Sequence, residues 1–337
     1  MAQALSLCKA PINNEMPLIE IRLRPTGPWR AGQRAGDRDR VDSLYHSDAL
    51  YSAVTQAMKS LGFLSEWLSA TAEAGATTPA ARFSSLFPFL GEHRLIPPPR
   101  TAWPPSGAGT LYVKGAKLVP LEVARQGVVN ESRWSIDGAS ECMIPNGMPA
   151  PFEVAMRSAA AVDRITGQTE PHRTACLEFA PNAGWWGLIE INDETWEPRV
   201  KSALRLLADS GFGGERSRGW GRAAEPQFTD ASGLFRAEGH TGVHPGAWWL
   251  LSLYSPHETD TVDWTRGDYS TVTRAGWTDS PAGSVKKKHV RMIEEGSVLM
   301  APSLRGRAVD VAPEGFAHPA WRSGLALAVP VPVEVEI

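Results

Sequence analysis

The stretch that most constrains this chain is Gly211-Phe-Gly-Gly-Glu-Arg-Ser-Arg-Gly-Trp-Gly-Arg222, where five glycines and three arginines fall within twelve residues. Glycine admits positive φ and lets two backbones approach closely. Arginine presents a planar cation with several donors, suited to phosphate. Together they point to a loop whose main-chain N–H groups and guanidinium groups hold a polyanion. The context excludes the common nucleotide loops. No Gly-Lys-Ser/Thr closes the run, as a P-loop requires. The glycines follow a helix instead of opening one after a strand, so they are not a dinucleotide fingerprint. The preceding helix is read over Trp196–Asp209, with Val200, Ala203, Leu204 and Leu207 on one face. After the glycines, Gly219–Phe228 can run as a strand. A helix C-cap accounts for Gly211 or Gly213, but not for Gly219, Gly221 and the interleaved arginines.

A chain of 337 residues is long enough for a large core and two domains. Its 42% hydrophobic and 21% charged content is that of an ordinary soluble globular protein. A formal net charge of -3 argues against indiscriminate nucleic-acid binding and leaves room for a local basic groove. Cys8, Cys142 and Cys176 form no CxxC pair, so no disulfide framework, metal site or cofactor is expected. Nothing reads as a signal peptide or a membrane span, and a cytoplasmic location is expected. The 13 tryptophans serve either core packing or stacking and partner contacts.

Residues 1–15 read as a loose leader. Leu18–Leu23 alternates as a strand, and Pro25–Asp42 is loop. Ser47 or Asp48 caps a helix over Ala49–Leu61, apolar at Leu50, Val54, Ala57, Met58 and Leu61. Glu66–Ala74 is a second helical piece, and Pro88–Pro105 is extended or irregular. A short strand at Leu118–Leu121 precedes a polar excursion over Gln126–Pro151. Ala155–Val162 and Ala175–Phe179 read as strands, with Asp163–Arg173 projecting between them as a hairpin or loop, and Trp185–Ile191 is a further strand. Strand, helix, strands, helix, strand is the βαββαβ order of a ferredoxin-like (RRM-like) domain with long insertions, an α+β fold. That fold alone assigns no function. Composition breaks over Thr229–Gly246, a second run of strands starts at Trp248–Tyr254, and Leu325–Ile337 reads as an edge strand or extended tail.

The glycine–arginine run resembles the glycine-rich loop of the RAMP superfamily of CRISPR-associated proteins. Further pieces fall in a matching order: Tyr45-His-Ser-Asp-Ala-Leu50, Arg82-Phe-Ser-Ser-Leu-Phe-Pro-Phe-Leu90, Lys114-Gly-Ala-Lys-Leu-Val-Pro120, Ala161-Val-Asp-Arg-Ile-Thr-Gly167, Lys286-Lys-Lys-His-Val-Arg-Met292, Glu295-Gly-Ser297 and His318-Pro-Ala-Trp-Arg-Ser-Gly324. The set, spanning about residues 17 to 330, resembles the subunit of type III-A (Csm) CRISPR effectors that caps the guide-RNA 5′ end. The last-third motifs favour type III-A over the equivalent type III-B subunit.

The resemblance implies a RAMP domain over residues 1–235 and a degenerate ferredoxin-like domain over 240–337. It implies a non-catalytic role holding the 5′ handle of the CRISPR RNA, between the large cyclase/nuclease subunit and the adjacent backbone RAMP subunit, in antiviral defence. Single-stranded RNA is held by phosphate contacts and by stacking on aromatics. Gly211, Gly213, Gly214, Arg216, Ser217, Arg218, Gly219 and Arg222 are the expected phosphate-side contacts. Trp220 either stacks on a base or packs in the core. His46 and Ser47 are expected as RNA contacts at the first helix. The segment Asp163–Arg173 resembles the RAMP thumb, with Ile165 as wedge, Thr166 beside it, target RNA nearby, and Arg157, Arg164 and Arg173 on phosphates. Lys286, Lys287 and Lys288 are either a solvated face or a contact for RNA or the large subunit. The competing reading is a metal-independent RAMP endoribonuclease maturing repeat RNA, with His46 as its base. His46, Ser47 and Asp48, adjacent in sequence, cannot converge as a hydrolytic triad.

Overall fold

A computed structural model describes residues 17–32, 38–74, 78–105, 115–127, 129–130, 132–235, 246–278 and 285–331. The leader at 1–15, Cys8, Lys114, most of the composition break and the tail beyond Val331 lie outside the described residues. The fold is mixed α/β.

In chain order, the first part holds β1 (Leu18–Leu23), α1 (Ser47–Ser60), α2 (Leu64–Ala70), β2 (Ala81–Phe83), β3 (Phe87–Leu90), β4 (His93–Ile96), β5 (Val119–Pro120) and α3 (Leu121–Gln126). It continues with β6 (Trp134–Asp137), β7 (Cys142–Pro145), β8 (Phe152–Val162), β9 (Thr169–Phe179), β10 (Ala183–Ile191), α4 (Glu197–Ser210) and β11 (Gln227–Asp230). One sheet runs β11-β1-β10-β3-β4-β5, with β2 also pairing β10, and its ladders are antiparallel.

The central strand β10 is buried along its whole length, which is why Trp185–Ile191 is nearly all apolar. Successive side chains point to opposite faces. Trp185, Ile189 and Ile191 meet α1 and α4 through Leu50, Val54, Met58, Val200, Leu204 and Leu207. Trp186 and Leu188 face the other way, into a second cluster.

The second part is built from strands, with no helix among its described residues. These are β12 (Ala247–Leu250), β13 (Asp263–Asp268), β14 (Thr271–Arg274), β15 (Val290–Ile293), β16 (Val298–Met300), β17 (Gly306–Asp310), β18 (Trp321–Leu325) and β19 (Ala328–Pro330). Four form a sheet in the order β13-β16-β12-β19, and β14–β15 and β17–β18 are separate two-stranded ribbons. Trp249, Leu251, Val298, Met300 and Val329 join Phe87, Phe89, Trp186 and Leu188 in one core. The second sheet thus covers the face of the first that the helices leave open.

Several boundaries differ from the sequence reading. The strand expected over Gly219–Phe228 begins only at Gln227, because Gly219 and Gly221 at positive φ break the upstream run into single bonds with residues 24–28. Residues 88–105 and 126–151 are not simply irregular: they contain the β3–β4 turn and the β6–β7 hairpin. The second helical piece, read as Glu66–Ala74, is α2. The capping role given to Ser47 or Asp48 is also corrected: His46 sits at the N-cap without a capping bond from its own side chain, while the Ser47 N–H donates to Ser85 Oγ and the Ala49 N–H to Asp48 Oδ1.

Candidate nucleic-acid interface

The glycine loop leaves α4 at Gly211, which adopts φ +84°. Its two arms then pass at backbone contact. A Cβ on Gly211 would lie 2.5 Å from the Trp220 carbonyl oxygen, and one on Gly221 would lie 2.0 Å from that of Phe212. The Phe212 N–H donates to the Gly221 carbonyl at 3.1 Å across this crossing. Phe212 is thereby driven into the core, edge-on to Trp29 and Tyr45 at 4.7 and 5.1 Å between centroids.

This arrangement corrects part of the expected anion cradle. The N–H groups of Gly211, Gly214, Gly219 and Gly221 donate to the carbonyls of Leu207, Arg30, Arg216 and Pro28, so the chain's own backbone occupies them. Gly213 lies against Arg30, whose carbonyl oxygen would be 2.7 Å from an added Cβ. Trp220 is buried, which decides its alternatives in favour of packing. The loop presents its tip instead: Arg216, Ser217, Arg218 and Gly219 are exposed on a single 3-10 turn, with Arg222 exposed nearby. Arg216 Nη1 donates to Gln56 Oε1 at 3.3 Å. Arg218 pairs with Glu215 at 3.1 Å and donates to His172 Nε2 at 2.9 Å, joining the loop to β9.

Strands β8 and β9 pair over eleven positions, Phe152↔Phe179 to Val162↔Thr169, and form a sheet of their own. At about 3.4 Å per residue the hairpin is about 35 Å long. The sequence read β9 as starting at Ala175. It starts at Thr169, because a ribbon with both faces in solvent shows no apolar alternation near its tip. Its root is fixed: Trp29 and Leu177 exchange backbone bonds of 2.9 and 2.7 Å, and the Ala175 N–H donates to Arg38 O. At the tip, Asp163 Oδ1 accepts from the Ile165 N–H at 2.7 Å and the Thr166 N–H at 3.3 Å. Ile165 is left 95% exposed. Arg164 and Arg173 are exposed, and Arg157 lies against Glu178 at 2.6 Å.

Between the glycine loop and the second part lies an open cleft of about 570 Å³. Arg30, Arg38 and Arg216 line it from the first part, and Arg274, Lys287, Arg322, Trp277 and Trp321 from the second. Of the lysine run, Lys286 and Lys288 are exposed and Lys287 is turned into this cleft. Arg30, Arg38, Arg274, Trp277, Trp321 and Arg322 were not singled out from the sequence, although the His318–Gly324 motif already contained two of them.

His46, Ser47 and Asp48 are buried, and each is held by a strand or turn of the second part. His46 Nδ1 lies 2.9 Å from Glu295 Oε1, and Nε2 lies 3.5 Å from Asp42. Ser85 Oγ also donates to Glu295. Ser47 Oγ accepts from the Leu253 N–H at 2.9 Å. Asp48 takes Arg274 at two points, both 3.0 Å, and Arg322 on Oδ2. The reading of His46 and Ser47 as RNA contacts is corrected accordingly: these side chains form the joint between the two parts.

Burial opposes charge on His46, but the Glu295 and Asp42 carboxylates outweigh it and raise its pKa to about 10. Burial likewise works against Glu295 carrying charge, but His46 and Ser85 bring its pKa below the ordinary value. Because His46 binds its proton more tightly when folded, its contribution to stability is full below 6.5 and is lost as pH rises through about 10. Glu295 contributes above 4.5, and its share is lost as pH falls through its lowered folded value. Thermal midpoints should therefore fall by several degrees between pH 6.5 and about 9, below the range where tyrosines ionise. His46→Gln should flatten that limb, and an equally steep limb in the variant would refute the assignment.

No helix among the described residues is long and apolar enough to cross a membrane. Residues 245–331 match the CRISPR Csm4 C-terminal domain family. Over 306 residues the chain is 24% identical to the CRISPR system Cms protein Csm4 of Thermococcus onnurineus (strain NA1), covering 83% of this chain and 86% of that protein. Its fold is similar to a chain in the crystal structure of the Csm3-Csm4 subcomplex of the type III-A CRISPR-Cas interference complex. That match has a TM-score of 0.62 and 14% identity over 93% of this chain and 99% of the other. A chain of the Csm1-Csm4 cassette in complex with pppApA matches with a TM-score of 0.56 and 17% identity, over 93% and 97% of the two chains.

Proposed function

We propose that this chain, which matches the Csm4 C-terminal domain family over residues 245–331 and a Csm4 protein at 24% identity, is the non-catalytic Csm4-type RAMP subunit of a type III-A effector and holds the 5′ handle of the CRISPR RNA. It joins the large subunit to the first backbone RAMP subunit, the two kinds of partner that stand beside the Csm4 chains of similar fold. The observation that carries this reading is the convergence of the exposed loop tip, the hairpin and a cleft lined by cations from both parts of the chain. Arg216, Ser217, Arg218 and Arg222 hold RNA phosphates, with Arg164 and Arg173 beside them on the hairpin. Ile165, held out by its Asp163 turn, is the wedge next to the target strand.

We read residues 1–235 and 240–337 as two ferredoxin-like domains, the second degenerate. The support is strand order: β11-β1-β10-β3 and β19-β12-β16-β13 both place the fourth, first, third and second strands of a unit side by side. In the second unit the β17–β18 ribbon stands where a second helix would run. The non-catalytic reading is supported by His46. A general base must be unprotonated and within reach of its substrate. His46 is buried between two carboxylates that keep it protonated.

The test is binding of labelled repeat RNA and mature guide RNA in EDTA. Arg216→Ala/Arg218→Ala should weaken binding at least tenfold and lower the log–log salt slope by about 1.4, two phosphate contacts' worth. Stability should stay within about 0.5 kcal/mol of the parent, since both side chains are exposed. Unchanged affinity in that variant would overturn the loop's role. Cleavage that His46→Ala abolishes would make the chain a processing nuclease.

A further inference from the structure

At the floor of the cleft two arginines pair with one carboxylate, and a lysine stands nearby. Asp48 is fully enclosed and takes both Arg274 and Arg322. Lys287 lies within electrostatic reach of both Arg322 and Asp48 without an ion pair to either; burial and Arg322 lower its pKa, against the pull of Asp48. The next carboxylates, Asp42 and Glu295, face His46. Arg274, 96% buried by its side-chain exposure of 4%, still has Nη1 without an acceptor, and so does Arg322 at Nε. Buried cationic donors without acceptors are costly. An anion with several oxygens in the cleft would balance the positive charge that the single Asp48 carboxylate leaves in excess.

The local backbone holds this arrangement open. The Lys287 N–H donates to the Gly276 carbonyl at 2.9 Å, and a Cβ on Gly276 would sit 3.4 Å from Arg322 Nη2. Trp277, 51% exposed, and Trp321 line the same cleft. They offer aromatic faces next to the cationic floor, the pairing that single-stranded nucleic acid uses.

We propose that Arg274, Arg322 and Lys287 form a phosphate subsite in the second part of the chain, which takes one phosphodiester of single-stranded RNA and makes that part a direct RNA-binding element. The inference deepens the RNA-binding reading given above and rests on it for the source of the phosphate.

Lys287→Met tests it without disturbing the fold, since Lys287 makes no side-chain bond that the fold needs. Lys286→Met, exposed and outside the cleft, is the control. RNA binding across a salt series should be about fivefold weaker in Lys287→Met, with a log–log slope smaller by about 0.7, and unchanged in Lys286→Met. Inorganic phosphate, compared with chloride at equal ionic strength, should raise the thermal midpoint of the parent more than that of Lys287→Met. Phosphate stabilisation that needs Lys287, with an unchanged RNA slope, would keep the site and assign it to free phosphate. If neither RNA slope nor phosphate response depends on Lys287 while Arg216→Ala/Arg218→Ala still loses RNA, the subsite is overturned and the loop reading stands. If Lys287→Met loses RNA and the loop variant does not, the loop reading fails and the subsite stands.

Discussion

Asp48→Ala should destabilise the protein by about 3–5 kcal/mol, the cost of leaving buried charges without their counter-ion. Asp48 is fully enclosed and holds Arg274 and Arg322 from two different ribbons of the second part. Removing it leaves two largely buried guanidinium groups side by side without the carboxylate they both pair with. The measurement is the urea midpoint at unchanged m-value. The triple replacement Asp48→Leu/Arg274→Met/Arg322→Met separates charge balance from packing. It should recover most of the loss, because exchanging a buried ion group for apolar side chains of similar volume is often neutral. A triple variant as unstable as Asp48→Ala would mean that shape, and not charge, holds the joint.

Gly221→Ala should cost more than about 3 kcal/mol and abolish RNA binding with it. The added Cβ would stand 2.0 Å from the Phe212 carbonyl oxygen, at a φ of +76° that L side chains rarely adopt. The arms of the loop would separate, Phe212 would leave its place between Trp29 and Tyr45, and the Arg216–Gly219 tip would lose its position. Gly219→Ala is the comparison. It has a similar φ of +79° but nothing within 4 Å of the added methyl. It should cost only about 1 kcal/mol, the strain of the left-handed conformation, and leave RNA affinity near the parent's. Equal losses in the two variants would show that backbone strain, and not the crossing of the arms, is what glycine serves here.

What the sequence made legible follows how local each signal is. The helices α1 and α4 and the strands β1 and β10 carry their own periodicity, and the glycine–arginine run marks its own place between α4 and β11. The glycines were credited with offering N–H groups to an anion. Their job is tighter than that, because Gly211 and Gly221 each need the other arm to explain them, and no pattern within twelve residues discloses a crossing. The hairpin was read short because Thr169–Arg173 is polar on both faces and resembles loop. His46, Ser47 and Asp48 were drawn toward capping, RNA contact or catalysis, the roles such residues play with near neighbours. Their partners are Glu295, Leu253, Arg274 and Arg322, and nothing at positions 46–48 announces them. The cleft was half visible for the same reason: only the 212–216 stretch of its first wall lies in the glycine–arginine run, while Arg30, Arg38 and the three segments of the second wall lie far from it in sequence.

The joint at residues 46–48 also bears on how the chain is made. Two N–H groups of the first turn of helix α1 are met by Ser85 and Asp48, but the side chains of Ser47 and Asp48 are paired by residues 206 to 274 positions downstream. At about 5–20 residues per second of synthesis, that turn waits on the order of 10–50 s for its partners. Over the same interval the face of the first sheet carrying Phe87, Phe89 and Trp186 has no second sheet to cover it. The first sheet therefore leaves the ribosome with an apolar face open and with the second-part partners of His46, Ser47 and Asp48 still to come. The joint is complete only when Arg322, 274 positions further along the chain, reaches Asp48.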